Sequence, residues 1–96
     1  VTVQRGHAVA NGLPVISCNR IGFEAAPDQK SGIDFWGNSF IAGPQGEILV
    51  RADHVEDRLL FAELDFVRSE QVRRIWPFLR DRRIDEFGNL TRRYID

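Results

Sequence analysis

Apart from fourteen carboxylates, the side chains in this sequence suited to covalent or acid–base catalysis are few: one thiol, Cys18, two imidazoles, His7 and His54, and one amine, Lys30. A cysteine attacks as its thiolate, so a nucleophilic one needs a helix N-terminus or an adjacent cation to lower its pKa. Cys18 stands in "LPVISCNRIGFE", between Ser17 and Asn19, after the C-terminal end of a helical stretch. A free cysteine in such an apolar run behaves as a small buried hydrophobe. Cys18 is therefore expected to pack inside a strand, and no catalytic residue is assigned to these residues. His7, His54 and Cys18 are widely spaced and match no zinc-ligand pattern. Neither a metal nor a cofactor is expected.

Other residues have the chemistry to hold a substrate. Asn19 and Glu24 flank the strand end "NRIGFE", and a carboxylate there suits a cationic amine. The competing role for Asn19 is an amide that satisfies backbone at the strand exit, and for Glu24 an exposed loop acid. In "FWGNS", Phe35 and Trp36 can wall an aliphatic chain and Asn38 stands beside them, with Gly37 allowing close approach. Aromatic residues in strands also serve as core. Twelve of the thirteen basic residues are Arg, and five lie between Arg73 and Arg83 against the single acid Asp81. Aromatic anchors with interleaved arginines resemble protein interfaces, so Arg74, Trp76, Arg80, Arg82 and Arg83 are expected at a contact, paired with acids elsewhere.

These residues need elements to position them. "VTVQRGHAVANG" reads as a helix end capped by Gly12, and Pro14 forbids its continuation. The run from Pro14 to Gly22 reads as a strand buried on both faces. "FEAAPDQKSGID" reads as a surface loop, and "FWGNSFIAG" as a strand interrupted at Gly37. "GPQGE" is a turn, "EILVRAD" a strand returning along the previous one, "HVEDR" a turn and "LLFAELD" a further strand. Asp65 caps a helix "FVRSEQVRRI", which Pro77 ends. An extended arm, 78–96, follows. The order is helix, strand, loop, three strands, helix, arm, which leaves a sheet too apolar for two helices to cover.

Composition narrows the class. Hydrophobic residues are 43% and charged residues 28% of the 96, as in globular proteins. A formal net charge of -1 gives no electrostatic basis for nucleic-acid binding. No apolar run approaches the roughly 20 residues of a membrane span, so no membrane partner is expected. One cysteine makes no internal disulfide, which fits a reducing, cytoplasmic compartment. The start at Val1, in mid-helix and without Met, is expected of a piece of a longer protein.

"RGHAVANGLPVISCNRIGFE", "FWGNSFIAGPQGEIL" and "IWPFLRDRRIDEFGNL" together resemble the C-terminal third of nitrilase-superfamily carbon–nitrogen hydrolases, in order and over essentially the whole chain. "FWGNSF" and "RRIWPFLRDRR" resemble the N-carbamoylputrescine amidase branch most. The resemblance implies an α+β fold, part of a four-layer α–β–β–α sandwich of which residues 1–96 supply about half a subunit. It implies hydrolysis of N-carbamoylputrescine to putrescine, ammonia and carbon dioxide, by a Glu base, a Lys and a Cys nucleophile that all precede this segment. The segment alone would be inactive, and the arm 78–96 would join a homo-oligomer. Two other readings remain: a β-ureidopropionase-like or ω-amidase-like enzyme, whose carboxylate substrate would want an Arg such as Arg20, and a non-catalytic interaction module.

Overall fold

A computed structural model of the chain describes residues 1–95. Helix α1, Thr2–Asn11, ends where Gly12 turns left-handed (φ 59°, ψ 39°) and its N–H donates back to the Ala8 and Val9 carbonyls. Glycine takes that conformation without the Cβ clash that other residues meet there. Five short strands follow: β1 (Val15–Ser17), β2 (Ile21–Ala25), β3 (Gly32–Trp36), β4 (Phe40–Ala42) and β5 (Ile48–Arg51). Helix α2, Phe66–Ile75, and a 3-10 helix, Ile84–Thr91, complete the chain.

The strands form two antiparallel groups, a three-stranded sheet in the order β1-β4-β5 and a β2–β3 hairpin. β1 faces β4 with Val15 opposite Ala42 and Ser17 opposite Phe40, while Phe40 on its other side faces Arg51 of β5. The expected single strand from Pro14 to Gly22 is thus two strands broken at Cys18–Arg20. It is not buried on both faces either, since Ile16 is 60% exposed. Nor is the stretch 23–34 a loop throughout. Its ends are strand, closed by a turn in which Asp28 accepts from the N–H groups of Lys30 (3.0 Å) and Ser31 (3.3 Å). Those two donors hold the Asp28 carboxyl below its ordinary value.

The expected strand over 59–65 is absent, because this stretch joins no ladder. Leu60, Ala62 and Leu64 are half-buried, whereas Leu59 and Phe61 are left 86% and 82% exposed. The α2 boundary agrees with the sequence. Asp65 accepts from the N–H of Arg68 at 2.8 Å, and the buried Ser69 hydroxyl donates to the Asp65 carbonyl at 3.1 Å. Arg68 also ties α2 to the β4–β5 turn through Glu47 and, at 3.0 Å, Gln45. The arm beyond Pro77 is partly helical rather than wholly extended.

The molecule is a thin plate of 55 × 44 × 14 Å with a radius of gyration of 18.9 Å. A compact domain of this length would have about 12.5 Å. Its core is small: Ala8, Phe40, Ile41, Ala42, Ala52 and Val72 are buried. Among the described residues there is one three-stranded sheet with its helices and a separate hairpin, and no second sheet faces the first.

Replacing Asp65 with Ala removes the α2 cap. In the full-length protein we expect a loss of about 1 kcal/mol in denaturant unfolding, with an unchanged m-value.

Candidate functional site

The break between β1 and β2 meets the break between β3 and β4, and the two are stitched together by hydrogen bonds. The Asn19 side-chain amide donates to the Gly37 carbonyl at 2.8 Å, and the Asn19 backbone N–H donates to Ser39 Oγ at 2.9 Å. Ser39 Oγ donates in turn to the Asn19 carbonyl at 3.2 Å. The N–H of Gly37 donates to the Arg20 carbonyl at 2.9 Å, and the Arg20 N–H donates to Asn19 Oδ1 at 2.9 Å. On the far side, Asn38 N–H donates to the Asp53 carbonyl at 3.1 Å.

Two consecutive left-handed residues, Gly37 (φ 52°) and Asn38 (φ 60°), make the corner sharp. Gly37 is needed twice over. Its φ favours glycine, and a Cβ there would come within 2.5 Å of Ile21 Cγ2 and 2.9 Å of the Asp53 carbonyl. The Gly37 expectation of close approach is therefore met by backbone and by Ile21.

The corner opens into a cleft of about 480 Å³ whose lining includes Cys18, Asn19, Trp36, Asn38, Phe40 and Arg51. Three of the expected substrate residues, Asn19, Trp36 and Asn38, thus come together. Trp36 is 78% exposed and forms a wall, whereas the Asn19 amide is committed to backbone. Asn38 donates to the Trp36 carbonyl and accepts at Oδ1 from Arg51 Nη2 at 2.6 Å. Glu24 does not line the cleft. It pairs with Arg20, whose guanidinium lies 4.5 Å over the Phe35 ring. Arg20 is thereby held on the hairpin, and the cation at the cleft is Arg51. Sequence reasoning missed Arg51; only the pairing of Phe40 with Arg51 carries it to the corner.

Cys18 is neither in a strand nor buried. Its expected packing is corrected for a simple reason: the β1–β4 ladder ends at Ser17, so Cys18 falls on the connection to β2. Neither histidine nor Lys30 lines the cleft beside it. Among the described residues no group of three His, Cys, Asp or Glu side chains is placed to hold a metal ion, and no helix is long and apolar enough to cross a membrane.

A second, apolar groove of about 680 Å³ lies between the end of α1 and the segment after α2. Trp76, Arg80 and Arg82 line it with Leu13, and Trp76 stacks with Phe78 at 6.1 Å between ring centres. The arginines do not wait for acids elsewhere, as expected from the sequence. Arg74 pairs with Glu70 (3.0 Å), Arg80 with Asp81 (2.7 Å) and Arg83 with Asp85 (2.6 Å) and Glu86 (3.0 Å). Arg82 donates to the Leu79 carbonyl at 2.6 Å. Acids within four residues satisfy Arg74, Arg80 and Arg83 at little ordering cost. The Asp81 and Asp85 carboxyls are held below their ordinary values by the Arg80 and Arg83 hydrogen bonds.

Gly37→Ala forces a Cβ against backbone in a left-handed residue. We expect it to lower the unfolding free energy of the full-length protein by about 2 kcal/mol or more, read by denaturant titration.

The family profile described as carbon-nitrogen hydrolase matches residues 1–74. N-carbamoylputrescine amidase of Oryza sativa subsp. japonica is 45% identical over 85 residues, covering 86% of this chain and 28% of that protein. Citrullinase of Francisella tularensis subsp. tularensis is 38% identical over 92 residues, covering 96% and 32%. The crystal structure of a carbon–nitrogen hydrolase from Helicobacter pylori G27 superposes with a TM-score of 0.87 at 54% identity, over 98% of this chain and 32% of that one. The chain thus spans between 28% and 32% of the length of these proteins. With a profile match over most of its length and a nitrilase-like fold shared at this identity, the chain belongs to the carbon–nitrogen hydrolase family.

Proposed function

We propose that this chain is the C-terminal part of an amidase that hydrolyses N-carbamoylputrescine to putrescine, ammonia and carbon dioxide in cytoplasmic polyamine synthesis. The observation that carries the reading is the 45% identity to an N-carbamoylputrescine amidase across 86% of the chain. In this reading the reacting Glu, Lys and Cys come from residues outside these 96. The thiolate attacks the carbamoyl carbon, the Lys stabilises the oxyanion, and ammonia leaves. A water deprotonated by the Glu then cleaves the S-carbamoyl intermediate, and the released carbamate loses carbon dioxide to give the amine.

The present residues supply the corner, the Trp36 wall and the cation at Arg51. The exposed side chains Ile16, Leu59 and Phe61 support a partner layer, the second sheet of a four-layer sandwich, and the arm 78–96 serves the contact between subunits. A second reading is favoured by one observation. Arg51 lines the cleft and no carboxylate does, which suits a ureido substrate that carries a carboxylate, as in the 38% identical citrullinase.

Ammonia release by the full-length enzyme separates the two. We expect kcat/KM for N-carbamoylputrescine to exceed that for citrulline by about tenfold or more, and the reverse ratio selects the second reading. Cys18→Ser in the same protein should retain activity within about threefold, since the nucleophile lies elsewhere. A loss of about a thousandfold or more would place the reacting thiol at Cys18.

A further inference from the structure

The β2–β3 pairing divides the hairpin into two unlike faces. Side chains alternate along each strand, and Ile21 lies opposite Trp36, Phe23 opposite Asp34 and Glu24 opposite Ile33. Ile21, Phe23, Asp34 and Trp36 therefore share one face, while Glu24, Ile33 and Phe35 share the other. Contacts agree with this division. Arg20 reaches both Glu24 and Phe35 on the second face, and the Phe23 ring lies over Gly32 on the first.

The second face is internally neutralised by the Arg20–Glu24 pair. The first face carries a carboxylate, Asp34, with no hydrogen-bond or ion-pair partner among the described residues. It is flanked by two aromatic rings that are open to solvent, Phe23 at 65% and Trp36 at 78% exposure. A carboxylate between exposed aromatic faces has the chemistry of an alkylammonium subsite. The charge attracts the cation, and the rings take both its methylenes and, through their quadrupoles, its positive end.

We propose that Asp34, with Trp36 and Phe23, binds the ammonium end of the substrate. This rests on the N-carbamoylputrescine reading and assigns the residues that would make it selective. Trp36 belongs at once to the cleft and to this face. Asp34 stands two residues further along β3, about 7 Å away, a distance that a four-methylene chain can bridge. Arg51 is on the cleft side of Trp36 and repels an ammonium there. The neutral ureido group thus enters the cleft, the chain crosses Trp36, and the ammonium reaches Asp34.

The test uses full-length enzyme with two substrates that differ only in the charged end, N-carbamoylputrescine and N-butylurea. Asp34→Asn should raise KM for N-carbamoylputrescine by about tenfold or more with kcat little changed, and leave N-butylurea within about twofold. Asp34→Glu should restore most of the loss. No change with N-carbamoylputrescine, or an equal loss on both substrates, overturns the assignment. Calorimetric titration with putrescine reads the subsite without turnover. Binding weakened about tenfold in Asp34→Asn supports it, and equal binding, or none by the wild type, overturns it. Failure of the wild type to hydrolyse N-carbamoylputrescine would overturn the function while the putrescine titration still judges Asp34.

Discussion

The exchange of hydrogen bonds between Asn19, Gly37 and Ser39 holds the rest of the site in place. It joins two breaks in the strands that are far apart in sequence and turns them into a single corner. Each bond contributes only about 1 kcal/mol. Together they satisfy backbone groups on both sides of a sharp double left-handed turn. From that corner Trp36 is set as a wall, Asn38 is oriented by the Trp36 carbonyl and by Arg51, and the hairpin pairs separately from the three-stranded sheet.

The plate shape follows from how little of the apolar surface the chain can cover. β4, paired on one side with β1 and on the other with β5, is the one strand with all three residues buried. The flanking strands and the stretch 59–65 leave Ile16, Leu59 and Phe61 open. Extended strands this apolar gain stability only when packed face to face with another layer. In the carbon–nitrogen hydrolase of Helicobacter pylori G27 the matching region is 32% of the chain.

The charges around the corner sort into neutralised and unneutralised groups. Arg20 and Glu24 cancel on one hairpin face, Glu70 cancels Arg73 and Arg74 of α2, and Asp81, Asp85 and Glu86 cancel Arg80 and Arg83 after it. At the corner and hairpin, Arg51 and Asp34 have no ion-pair partner among the described residues, and they lie on either side of Trp36. Unpaired charges of opposite sign on either side of an aromatic wall orient an amphiphilic ligand through differential attraction, at no cost in folding strain.

By itself the sequence determined the elements whose signals are local. Gly12 ended α1 because a left-handed cap wants glycine, Asp65 began α2 because its oxygen reaches the third N–H onward, Pro77 stopped it, and "GPQGE" turned the chain. It also determined the family, since the motifs around Asn19, Gly37 and Pro44 are collinear. Tertiary structure decided the rest. Strand 14–22 was legible as extended but not as broken, because Asn19 finds its partner only 18 residues later at Gly37. The stretch 59–65 has strand composition but no neighbour to pair with, and composition is blind to neighbours. Arg51 reached the cleft through cross-strand register, opposite Phe40. Register is a non-local quantity: it depends on which strands meet, and no window of the sequence contains both.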